Sequence, residues 1–201
     1  MPSMNFVTRS QVCRRFENKT VAIVGSGPGG LDNSPGFVDN HDVVVRVNNF
    51  RLSEPTGYRT DVFYSFFGSS IRKTALELER GGVTLCMCKC PNGQPIDSDW
   101  HRRKGRLRGI DFREIYAERS SWWFCDTYIP ENGDFLEKFR LLNGHIPTTG
   151  FAAILDVLSF KPQSVYLTGF DFFRSGLHDV NRPWRVKHQD DPIGHAPETE
   201  L

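Results

Sequence analysis

Between Val21 and Phe50 the chain reads VAIVGSGPGGLDNSPGFVDNHDVVVRVNNF. This is a buried strand, a glycine-rich turn, a short connection and a second buried strand that ends in polar groups. Unbroken branched apolar runs suit strands covered on both faces, as in the middle of a parallel sheet. Glycine lets a backbone approach a phosphate or sugar with no Cβ in the way. Gly25, Ser26 and Gly27 are therefore the first candidate ligand-binding residues.

The same alternation continues along the chain. Strands are predicted at Lys19–Val24, Asp42–Val47, Asp61–Phe67, Val83–Lys89, Ser121–Asp126 and Ser164–Thr168, from their branched and aromatic content. Helical spacing of Ile71, Ala75, Leu76 and Leu78 predicts a helix over Ser70–Arg80 that stops at Gly81-Gly82. An amphipathic helix is predicted over Asn132–Asn143. Another is predicted over Thr149–Phe160, opened by threonine and glycine and closed by Pro162. Residues 1–18 read as a partly helical lead-in whose Arg14-Arg15 pair is a solvated patch. Strands alternating with helices predict an α/β sandwich with a mostly parallel sheet, one domain over 19–201. Ligands bind such sheets at the carboxyl ends of the strands, where Gly25–Gly27, Arg46–Asn49 and Gly169–Asp171 gather.

A length of 201 residues supports one sizeable core. The formal charge of +1 gives no support to nucleic acid as a partner. No run of 18 apolar residues is present to span a membrane, and the N-terminus lacks the apolar core of a secretory signal. The five cysteines are an odd number, and Cys86, Cys88 and Cys90 alternate on one strand face where they cannot all pair. They read as small buried side chains, and a reducing, cytoplasmic location is expected.

Several motifs carry chemistry. Gly25 to Gly30 matches the G-x-G-x-x-G dinucleotide fingerprint, but the following segment contains Pro35-Gly36 and is too broken for a crossover helix. The second strand also ends in Arg46-Val47-Asn48-Asn49 with no acid for a ribose. A flavin or nicotinamide site is therefore disfavoured. Arg46 and Asn48 are read as alternating outward at that strand end. Each is open to two roles: a structural partner of a nearby carboxylate or turn, or a ligand contact. Thr148, Thr149 and Gly150 begin an apolar helix, where threonine caps and free N–H groups favour an anion. His178, His188 and His195 follow the last strand, placed for acid–base work or phosphate contact. They lack the compact Cys/His spacing of a zinc site. Asp97-Ser98-Asp99 imitates a metal-binding D-x-D, but no predicted strand feeds it, so no metal or other cofactor is expected. The basic stretch Pro91–Gly109 is a loop or a lid.

Three ordered stretches resemble the eukaryotic-type sialyltransferases, glycosyltransferase family 29, and their bacterial and viral relatives. They are Val21–Phe50 followed by TGYRTDVFYS, Pro147–Phe173 (PTTGFAAILDVLSFKPQSVYLTGFDFF), and His195 with Glu200 five positions on. The resemblance covers about Val21–Leu201. It implies a single-domain Rossmann-like, variant GT-A fold and a metal-independent, inverting transfer of sialic acid or the related acid Kdo. The donor would be CMP-activated and the acceptor a glycan hydroxyl. On this resemblance His195 is the general base and His178 contacts the departing phosphate. Gly25, Ser26, Gly27 and Asn48 hold CMP from one side. Thr148, Thr149, Gly150 and Gly169 hold the nucleotide and sugar carboxylate from the other. The chain departs from the family at Ser26, where an asparagine is usual, and at His178-Asp179, where the family has His-Tyr. Val21 and the Lys161-Pro162 region stand where the family's disulfide cysteines would be. The chain ends directly after Glu200, so a further C-terminal segment is an expectation. The alternative is a nucleotide-binding module on the same scaffold that has lost transfer.

Overall fold

The computed structural model describes residues 5–27, 32–67, 71–91, 124–142 and 147–170. Six strands form one sheet: β1 (Thr20–Val24), β2 (Val43–Val47), β3 (Val62–Ser65), β4 (Leu85–Cys88), β5 (Asp126–Tyr128) and β6 (Ser164–Thr168). Their order is β5-β4-β3-β2-β1-β6, and every pairing is parallel. The predicted α/β architecture with a parallel sheet is the one observed.

Period-two alternation sorts the inner strands β1 to β4 onto two covered faces. Val21, Ile23, Val43, Val45, Val62, Tyr64, Leu85 and Met87 share one core with α1 (Arg9–Phe16) and α4 (Thr149–Ser159). Phe63, Cys86 and Cys88 face the other way, under Leu78 of α2 (Ala75–Arg80). Ala22, Val24 and Val44 share that opposite face with Val38, in a single 3-10 turn (Val38–Asn40). Among the described residues no α-helix lies between β1 and β2, in keeping with the broken connection read from the sequence. Helix α3 (Asn132–Leu141) follows β5. No helix among the described residues is long and apolar enough to cross a membrane.

Three local expectations are corrected. The helix expected from residue 70 starts only at Ala75, because Thr74 accepts from the Glu77 N–H while the Glu77 carboxylate accepts from the Thr74 N–H. This capping box fixes the entry point. The strand expected over Ser121–Asp126 instead begins at Asp126, where the N–H of that residue bonds to the Thr84 carbonyl at 3.3 Å. The aromatic run drew the expectation too early, and residues 121–123 lie outside the described residues. Arg14-Arg15 is not simply solvated: the Arg15 guanidinium pairs with Asp126 and also donates to the Thr84 carbonyl at 3.4 Å.

The segment before β1 is built into the fold. Val12 and Phe16 of α1 are fully buried, and Phe16 stacks on Phe160 with centroids 5.3 Å apart. Upstream, the Val7 N–H bonds to Thr127 O and the Thr127 N–H to Asn5 O, both at 2.9 Å, so residues 5–7 run along the outer edge of β5.

Candidate functional site

The carboxyl edge of the sheet holds the described candidates. β1 and β2 run in register with Val24 beside Arg46, so the glycine turn and Asn48 leave the sheet at the same level. On its other side β1 pairs with β6, Val24 beside Thr168. The two exits are then tied together: the Gly25 N–H donates to Thr168 O at 2.9 Å and the Gly27 N–H to Gly169 O at 2.7 Å. Two amides of the turn are therefore committed to the fold. Ser26, between them, makes no hydrogen bond among the described residues.

The glycines serve close approach more than free amide donation. A Cβ on Gly25 would lie 2.3 Å from the Gly169 carbonyl oxygen, and one on Gly150 would lie 2.7 Å from Cε1 of Phe170. The Phe170 ring is thus in contact with both the turn after β1 and the first turn of α4, gathering Gly25, Gly150 and Gly169 around one aromatic side chain. Gly25→Ala is expected to lose roughly 2–3 kcal/mol or more in urea unfolding, because the clash is with backbone that cannot turn aside. Gly36 is the control: its φ is +74°, but a methyl group added there would meet nothing within 4 Å, so alanine costs about 1 kcal/mol of conformational strain. Equal losses at the two positions would refute the steric account.

Helix α4 opens with Thr148 as N-cap, its hydroxyl accepting from the Phe151 N–H at 3.2 Å. The N–H groups of Thr149 and Gly150 then have no partner within the helix. The capping role foreseen for this stretch is present, and the helix end it creates carries the positive pole of the dipole. Pro147, just before the cap, accepts a hydrogen bond at 3.1 Å from the ammonium of Lys89, which follows β4. Lys89 was missed in the sequence. A lysine immediately after the buried run LCMC was the available signal.

Asn48 has φ +51°, in the left-handed region. Its N–H bonds to Tyr64 O at 3.0 Å, while its side-chain oxygen is buried and has no hydrogen-bond partner among the described residues. At the end of β3, Phe67 has φ +57°, a costly conformation for a bulky residue. Two strained residues at neighbouring strand ends mark this edge, and such strain gathers where a ligand is held.

Arg46 does not belong to this group. The alternation read from the sequence points it outward; instead it is fully buried within β2, donating to Arg59 O and Thr60 Oγ1 at 3.0 Å each and to Thr56 O at 2.6 Å. Asp39 lies 3.9 Å from it. Burial pulls its pKa down to about 10, against the pull of Asp39 and Asp61. The structural alternative for this residue is the correct one. The cysteines behave as foreseen: Cys86 and Cys88 are buried on one face of β4, beside Cys90 and Cys125. His178, His188, His195, the Asp97-Ser98-Asp99 stretch, and all but the first residue of the Pro91–Gly109 loop lie outside the described residues.

No family model and no curated protein matches the chain. Solved structures do. The sialyltransferase CstII from Campylobacter jejuni, in complex with the substrate analogue CMP-3FNeuAc, superposes with a TM-score of 0.55 at 18% identity, covering 89% of this chain and 71% of that one. The fold is sialyltransferase-like. CST-II in complex with a trisaccharide acceptor and CMP gives 0.51 at 18% identity, over 82% and 69% of the two chains. A mammalian sialyltransferase gives 0.55 at 18%, over 91% and 63%. Sialyltransferase-like architecture thus agrees with the resemblance carried by the three sequence motifs.

Proposed function

We propose that this chain is a glycosyltransferase that moves an acidic sugar, sialic acid or Kdo, from its CMP-activated donor to a glycan hydroxyl. The observation that carries the reading is the convergence of the Gly25–Gly27 turn, Asn48 and the open start of α4 at one edge of a sialyltransferase-like sheet. It is supported by structural neighbours solved with CMP, a CMP-sugar analogue and a trisaccharide acceptor. Asn48 and Ser26 offer a nucleoside polar groups that have no partners among the described residues. The N-terminus of α4 offers N–H groups and positive potential for a phosphate or a sugar carboxylate.

In the proposed reaction the acceptor oxygen attacks the anomeric carbon on the face opposite the leaving group. His195 takes the acceptor proton, the bond to the phosphate oxygen breaks, and CMP departs with inverted configuration at carbon. CMP leaves with a single phosphate, a charge that a helix end and an imidazolium at His178 can neutralise without a bridging metal.

Titration calorimetry with CMP is the first test. Saturable binding is expected. No heat at millimolar CMP would sink the proposal, because a donor site must retain affinity for its nucleotide product. Release of free sugar from CMP-sialic acid or CMP-Kdo without an acceptor would then count against an inactive module.

A further inference from the structure

Among the described residues, the side chain of Lys89 is a buried cation with no anion beside it. The residue is only 6% exposed. Its N–H extends the β4 ladder, bonding to Ser65 O at 2.8 Å. Alternation puts Cys86, Cys88 and Cys90 on the α2 face and therefore turns Lys89, like Met87, toward the α4 face. There its ammonium donates to the Pro147 carbonyl, one residue before the N-cap of α4. An ammonium has three donors, and this is the one bond it makes among the described residues; it forms no ion pair with any of their carboxylates. Asp156, the buried carboxylate on α4, is already shared between Lys138 and Tyr64.

A charge taken out of water without a counter-ion is costly, and a fold retains one most readily where a ligand supplies the opposite charge. The ammonium sits where the open helix start also favours an anion. We propose that Lys89 is a donor-binding residue whose ammonium contacts the phosphate of the bound CMP moiety. The inference rests on the mononucleotide reading of the site. Among the described residues it adds a cationic contact from β4 to an edge of glycines, amides and a helix end.

The test compares CMP with uncharged cytidine by calorimetry, in the wild-type chain, Lys89→Gln and Lys89→Met. Glutamine keeps a donor for Pro147 and removes the charge; methionine keeps the apolar stem. Loss of a charge-assisted hydrogen bond should weaken CMP about 10- to 100-fold, with cytidine affinity unchanged in both variants. An unchanged ratio of CMP to cytidine affinity, or equal loss of both ligands, would overturn the role of Lys89 while leaving the site intact. Wild-type protein that binds neither ligand would instead remove the mononucleotide reading, and this inference with it. Ligand-free melting gives a second readout: Lys89→Gln, which keeps a donor for the Pro147 carbonyl, should melt no lower than wild type, since the ammonium has no counter-ion among the described residues until ligand binds. A clearly lower melting temperature would mean that the fold itself satisfies the ammonium.

Discussion

Lys138→Ala should destabilise the protein by about 3–5 kcal/mol, more than any surface change, because it strands a buried carboxylate. Lys138 on α3 and Asp156 on α4 form an ion pair with both side chains almost entirely buried. Tyr64, fully buried on β3, donates its hydroxyl to the other oxygen of the same carboxylate. One acid thus joins two helices to the sheet. Burial raises the Asp156 pKa, against the lowering pull of Lys138 and Tyr64; burial and the neighbouring carboxylate push the Tyr64 phenol well up. Removing the cation leaves that desolvation uncompensated. For a chain of this size the loss corresponds to roughly 6–20 °C in melting temperature. The apolar triple replacement Tyr64→Phe, Asp156→Leu, Lys138→Met should recover most of it, since a buried ionic cluster seldom exceeds a well-packed apolar one in stability. Urea unfolding of the single and triple variants measures both effects. A single-variant loss below about 1 kcal/mol would show the pair to be hydrated rather than buried.

His195→Ala should lower turnover about 10²- to 10⁴-fold while CMP affinity stays within a small factor, the signature of a group that acts on the acceptor proton and not on nucleotide binding. In the proposed reaction the imidazole must be neutral to accept a proton. The rate should therefore rise with pH as His195 loses its proton, and fall again at higher pH as the His178 imidazolium that neutralises the phosphate is lost. In the alanine variant this acid limb should disappear along with most of the rate. Steady-state rates on CMP-sialic acid and CMP-Kdo, measured across about pH 5–8, test both points. A variant that keeps wild-type turnover, or a low residual rate with the same acid limb, would remove His195 from the role of base.

Sheet, strand positions and the place of the glycine turn were legible because apolar runs, glycine and capping threonine act locally. VAIV and VVVRV have little choice but to be buried strands, SVYLT forms a strand at the sheet edge with only Thr168 buried, and Thr148 announces the start of α4. What the turn does with its amides was not legible. That Gly25 and Gly27 donate to β6 and the glycine after it depends on a strand distant in the chain being the neighbour of β1, which no local pattern encodes. The outward direction read for Arg46 failed for the same reason: the carbonyls of Thr56 and Arg59 that accept from it come from a connecting segment whose path is set by tertiary packing. Lys89 escaped notice because a lysine after a strand is ordinarily solvated. Here it is buried and donates to the Pro147 carbonyl, a partner distant in the chain.

The strand order also governs when this protein can exist at all. β1 is interior to the sheet, yet one of its two neighbours is β6, the last of the described strands to be synthesised. A chain emerging from the ribosome presents an unpaired, largely apolar edge on β1 until Ser164–Thr168 arrives. Folding is then necessarily late and dominated by contacts distant in sequence, which favours slow closure and exposure to aggregation in the interval. Expression yield should consequently depend on temperature and on chaperones that shield strand edges, even for variants whose finished fold is untouched.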